Sequence, residues 1–151
     1  MLITAVALVN QRTGAPIATS VERAVTRATR RRGLLGRDGL AAGCALMLEP
    51  CPAVHTAFMR FAIDVVFLDR EGYAVKIVRN LVPWRIAVAP RAHTVVEMAA
   101  GSLEHLDLSI GDRLFLSTDT SCVPEAVQAG RRRAMAAGSS AIVMPGRPAK
   151  V

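Results

Sequence analysis

The sequence predicts a mostly β fold, a small β-sandwich or partly open barrel carrying one short helix. Three observations support this. Short apolar, β-branched segments recur at near-regular spacing; clusters of Gly, Pro, Asn and Asp separate them; and the stretch around residues 25–33 has helical periodicity. At 151 residues the chain is long enough for one domain with its own core.

Residues 2–9 are apolar and β-prone. Asn10 to Gly14 supply turn chemistry, and Pro16 to Val21 resume with alternating Ile17, Thr19 and Val21, which makes a hairpin. Val21, Val25, Ala28 and Leu35 then recur at helical spacing while Arg23, Arg27, Arg30 and Arg31 occupy the other side. Thr26 is placed as the N-cap and Gly33 as the stop; Thr19 with Glu22 is a rival capping pair that would consume the second strand. Cys44 to Leu48 is a short strand ended by Glu49-Pro50-Cys51-Pro52, where two prolines forbid a central strand. His55 to Asp69 is the densest apolar run and reads as the central strand pair, Val54 to Met59 and then Ala62 to Leu68, broken near Arg60. Asp69 to Gly72 turns the chain into a return strand, Tyr73 to Arg79. After the loop holding Pro83-Trp84-Arg85 come a brief apolar Ile86 to Val88, a strand Thr94 to Ala99, a helical turn within 101–108 capped by Ser102, and a last strand Arg113 to Ser117. The β domain is thus expected over 1–118. The Ala/Arg/Gly/Pro-rich remainder, 119–151, loses strand alternation and reads as weakly helical or disordered.

The net charge of +7 comes almost entirely from arginine. A solvated basic face and a solubilising tail account for it, so no nucleic-acid partner is expected. The three cysteines lack CxxC spacing, which indicates neither a disulfide framework nor a zinc site, and nothing calls for a cofactor. The N-terminus has no basic region, and its apolar stretch is too short for a membrane span, so a cytoplasmic protein is expected. Oligomeric state and protein partners are left open.

Function is sought where charge interrupts the apolar run, because an unpaired buried charge costs several kcal/mol. Along the strand Ile63, Val65 and Phe67 face one way and Asp64, Val66 and Leu68 the other, so both faces are apolar and Asp64 is embedded. Arg60 lies about 13 Å from Asp64 on a straight strand, and a bend near Phe61 would let the two pair. Such a pair either locks the bend or holds an arginine ready for an anionic or polar ligand. His55, at the strand's start, could act as a general base with Asp64 or Glu97, as in a hydrolase. Against this, no serine sits in a nucleophile elbow and no histidines show metal-motif spacing, so a hydrogen-bonded structural histidine is the favoured reading of His55. Trp84, rigidified by Pro83 and followed by Arg85, suits a stacking platform or a plug for the open end of the sandwich. The first reading is a noncatalytic module with a cleft lined by His55, Arg60, Asp64, Trp84, Arg85 and Glu97 for a polar, anionic or carbohydrate-like ligand. The alternatives are a hydrolase built on His55 and a structural or interaction protein using the arginine-rich helix face and tail.

Several stretches together resemble a known family. Arg32-Gly33-Leu34-Leu35-Gly36-Arg37, the run His55 to Asp69, Gly72, Ala100-Gly101 and Gly111-Asp112, spread in order over about residues 2–118, look like the domain of unknown function (DUF) 192 family of small bacterial and archaeal proteins. The resemblance implies a mostly β, sandwich-type fold with one short helix, and it implies no reaction. In many members the hallmark reads Phe-Trp-Met-Lys-Asn-Thr with a proline before Ile or Leu. Here it is Met59-Arg60-Phe61-Ala62, so the amide and hydroxyl after the basic residue are absent.

Overall fold

The computed structural model describes residues 6–119 as a mostly β structure with one short helix, its sheets not closed into a barrel. The strands are β1 (Ala7–Asn10), β2 (Pro16–Ala18), β3 (Ser20–Ala24), β4 (Cys44–Leu48), β5 (Ala53–His55), β6 (Ile63–Leu68), β7 (Ala74–Leu81), β8 (Ile86–Val88), β9 (Thr94–Ala99) and β10 (Leu114–Ser117), with helix α1 at Arg27–Arg32. They form a three-stranded sheet β10-β1-β2, a five-stranded sheet β3-β4-β9-β6-β7 and a two-stranded ribbon β5-β8.

Period-two alternation in the five-stranded sheet explains the layering. In β4, Ala45 and Met47 join one apolar cluster while Leu46 and Leu48 join another. In β6, Val66 and Leu68 go to the first, and Ile63, Val65 and Phe67 to the second. The first cluster is completed by Leu8 and Ile17 of the three-stranded sheet. The second is completed by Leu34 after the helix, Met59, and Val54 and Ala87 of the ribbon. The large sheet is therefore covered on both faces, which is why all six residues of β6 are buried.

Local chemistry sets the boundaries. Thr26 caps α1 by accepting the Thr29 N–H, while the Thr29 hydroxyl accepts the Thr26 N–H, a capping box with threonine in the usual acidic place. Gly33 ends the helix, as expected. Gly72 sits at φ 89° in the β6–β7 turn, where a side-chain carbon would meet the Leu114 carbonyl oxygen at 2.7 Å. Asp112 receives Asn10 Nδ2 at 2.8 Å and Arg12 Nε at 2.7 Å, tying the end of β1 to the chain just before β10. The Arg12 guanidinium foremost, then the Ser109 N–H and the Asn10 amide, hold the Asp112 carboxyl well below the usual range.

Four expectations are corrected. The run from His55 to Asp69 is not one central strand pair: β5 pairs with β8, and β6 lies between β9 and β7. The stretch expected as one second strand, Pro16 to Val21, divides near Thr19, and β2 and β3 enter different sheets. This also removes Thr19 as a helix cap. Residues 101–106 form consecutive turns rather than a helix, with Ser102 N–H to Ala99, Glu104 N–H to Gly101 and Leu106 N–H to Leu103, three residues apart each time. Finally, Arg60 and Asp64 do not pair, for reasons given below. The tail after Asp119 lies outside the described residues.

Candidate functional site

The residues expected to line one cleft divide among three environments. Asp64 is 1% exposed and faces the first apolar cluster, opposite Met98 of β9. Its two carboxylate oxygens are used separately: Oδ1 accepts the Asn80 N–H at 2.8 Å and Oδ2 the Leu103 N–H at 3.0 Å. Asn80 has φ 52°, so this carboxylate fixes a left-handed residue in β7 and anchors the turns after β9. Asp64 is satisfied by backbone and faces away from the ribbon. Arg60 instead reaches Asp38 in an exposed ion pair, since the turns over 57–62 carry it off the β6 line. An exposed pair of this kind adds little stability.

The second environment is the outer edge of the ribbon. Thr56, fully buried, holds two loops together. Its Oγ1 donates to the Val82 carbonyl at 2.7 Å and accepts the Arg85 N–H at 2.9 Å. Its N–H donates to the Arg85 carbonyl, and its carbonyl accepts both the Trp84 and the Met59 N–H. The clasp supports two aromatic residues on left-handed backbone, Phe58 and Trp84, each at φ 64°. That conformation costs a non-glycine residue about 1 kcal/mol or more, and burial recovers only part of it: Phe58 is 74% and Trp84 60% exposed. Their rings meet edge to face, centroids 4.6 Å apart at 60°. His55 and Ile86, opposite one another at this end of the ribbon, and Arg85 are exposed as well, as is Arg60 in its pair with Asp38.

The third environment is a cavity of about 80 Å3 under the C-terminal end of α1. Arg30, Arg31 and Arg32 line it from the helix, Leu34, Leu48, Val54 and Met59 supply apolar wall, and Cys51, His55 and Glu97 supply polar groups. Glu97 projects from β9 beside Leu46 and Val65. It is 5% exposed, and no group among the described residues bonds its Oε2. Burial raises its carboxyl to about 7, against a smaller opposing pull from Arg37. Burial also pushes the Cys51 thiol up, and the Glu97 charge adds to this. His55 and Glu97 share the cavity without a hydrogen bond between them, and Asp64 lies beyond the sheet from both, so the expected His55–Asp64 dyad is not assembled. Among the described residues no three His, Cys, Asp or Glu converge to hold a metal ion, and no helix is long and apolar enough to cross a membrane.

Sequence reasoning thus named Trp84, Arg85, His55, Arg60 and Glu97, and gave the helix arginines only to an interaction surface, but missed Thr56, Phe58 and Cys51 as contributors. Thr56 carried a signal, being a lone hydroxyl inside the apolar run. Phe58 matched the aromatic before Met and a basic residue in the family hallmark, but an aromatic between Ala57 and Met59 is by periodicity indistinguishable from core.

Comparisons with known proteins agree with this architecture. UPF0127 protein PF1050 of Pyrococcus furiosus is 44% identical over 63 residues, 41% of this chain and 53% of that one. UPF0127 protein PYRAB11210 of Pyrococcus abyssi is 40% identical over 62 residues, 40% of this chain and 52% of its own. The chain thus spans about half the length of the curated relatives it matches. Among solved structures, protein R01717 of Sinorhizobium meliloti 1021, for which transcription regulation has been suggested, matches with TM-score 0.65 and 26% identity over 76% of this chain and 93% of that one. A protein of unknown function from Novosphingobium aromaticivorans matches in fold, with TM-score 0.63 and 20% identity over 73% of this chain and 82% of its own. The DUF192 family model, described as "Uncharacterized ACR", matches residues 8–116, from β1 through β10, and the chain belongs to that family.

Proposed function

We propose that the protein is a noncatalytic carbohydrate-binding module whose contact surface is the Phe58–Trp84 platform with Arg85, Arg60 and His55 around it. One observation carries this: two exposed aromatic rings are held on left-handed backbone by the buried Thr56 clasp, a cost that folding alone does not explain. Rings of this kind offer a flat apolar face to the C–H surface of a sugar, and guanidinium and imidazole groups beside them can hydrogen-bond its hydroxyls. The platform is open rather than enclosed, which suits a chain of sugars better than a single small molecule. Asp64 has no part in the contact, since both its oxygens are committed to the fold.

Trp84 is the only tryptophan, so intrinsic emission reports on the platform directly. Titration with a panel of neutral and acidic oligosaccharides is expected to give a saturable emission change for at least one. Trp84→Ala should weaken that binding, measured by calorimetry, by about 2 kcal/mol, roughly thirtyfold, with melting little changed. No saturable response anywhere on the panel overturns the reading. So does salt-sensitive binding of a DNA duplex as the only response, if it is indifferent to Trp84→Ala.

A further inference from the structure

The cavity under α1 has a buried polar atom in its lining that is unmatched among the described residues. Glu97 Oε2 is buried and no group among the described residues bonds it, which costs about 1–3 kcal/mol for a neutral group and more for an ionised one. Its neighbours across the strands are Leu46 and Val65, and the cavity wall adds Leu34, Leu48, Val54 and Met59. The opening has the opposite character. Arg30, Arg31 and Arg32 all line it; Arg30 is committed to the Val25 and Glu49 carbonyls, while Arg31 and Arg32 are exposed. A cation would suit Glu97 but would be repelled at this mouth. A neutral donor inside, joined to an anion outside, suits both ends. The space is about 80 Å3, roughly half that of an apolar cavity known to take benzene, so only a few heavy atoms can enter.

We infer that this cavity is a binding pocket for a small hydroxy acid, the hydroxyl donating to Glu97 and the carboxylate meeting Arg31 and Arg32. Trp84 and Phe58 are not among the pocket's walls, although His55 borders both the pocket and the aromatic platform. Glu97 accepts one hydrogen bond from the ligand hydroxyl, a short aliphatic body replaces solvent against Met59 and Val54, and the guanidinium groups pair with the acid at the rim.

The test is a binding series on the full chain by calorimetry and thermal shift, using lactate and glycerate, propionate as the acid without the hydroxyl, and 1-propanol as the alcohol without the acid. Saturable binding of a hydroxy acid, at least tenfold tighter than propionate and propanol, is expected. Glu97→Gln should retain the fold and reduce the preference for lactate over propionate at least fivefold. Arg31→Ala with Arg32→Ala should reduce the preference for lactate over propanol to a similar degree. Trp84→Ala should leave all of these unchanged, so that failure of the platform and failure of the pocket are told apart. The inference is overturned if no hydroxy acid binds saturably, or if binding survives Glu97→Gln with its hydroxyl preference intact.

Discussion

Two carboxylates are buried in the five-stranded sheet, on neighbouring strands and opposite faces, and they are treated in opposite ways. Asp64 on β6 faces the three-stranded sheet, with each oxygen accepting one backbone N–H. Glu97 on β9 faces the helix and the ribbon, with Oε2 unpartnered among the described residues. The difference separates a carboxylate that organises the fold from one that the fold tolerates. Asp64 fixes a left-handed residue in β7 and the turns after β9. Glu97 raises the energy of its own face, and its surroundings have the walls and rim of a pocket.

Substitutions can break this contrast, beginning with the largest effect. Asp64→Ala leaves the buried Leu103 N–H and the part-buried Asn80 N–H without their acceptor and should destabilise the chain by about 2–3 kcal/mol in urea unfolding, a large share of a marginal domain's stability. A loss under 1 kcal/mol would show that the two bonds are dispensable. Glu97 should behave in the reverse sense and with pH. Its carboxyl titrates at about 7 folded against an ordinary value of 4.5, so the folded state holds the proton more tightly. Stability is then full below 4.5 and falls as pH rises through about 7, by roughly 3 kcal/mol in all. Glu97→Gln should flatten that slope, making the chain about 2 kcal/mol more stable than the parent near pH 8.5 and nearly equal to it near pH 5. Parallel melting curves for the two proteins across this range would contradict the assignment. The smallest effect belongs to the platform: Trp84→Gly relieves the left-handed backbone but gives up the ring contact with Phe58 and the partial burial of Trp84, so stability should change by less than about 1 kcal/mol while the stacking surface is removed.

The sequence was most legible where one physical rule acted alone. Thr26 and Gly33 bounded the helix because capping and the left-handed stop are local chemistry. The alternation from Ile63 to Leu68 revealed a strand buried on both faces. Where two distant segments had to meet, the sequence was silent. Asp38 sits in a loop after the helix, and nothing in its neighbourhood marks it as the partner of Arg60. The Thr56 clasp needs residues 82 and 85 brought back across the ribbon. The break near Thr19 was hidden because Ile17, Thr19 and Val21 alternate as if in one strand, and only the sheets themselves show the chain leaving one for the other.

The pairing of β1 with β10 has a kinetic meaning. Ala7 lies opposite Ser117, and the Asn10, Arg12 and Asp112 contacts join positions about as far apart in sequence. Hairpins such as β6 with β7 can form as soon as their own residues are available, but the three-stranded sheet cannot be completed until residue 117 has been synthesised. Until then the first-cluster face of the large sheet lacks part of its cover, and refolding should be governed by this long loop closure, on the order of milliseconds to seconds rather than microseconds.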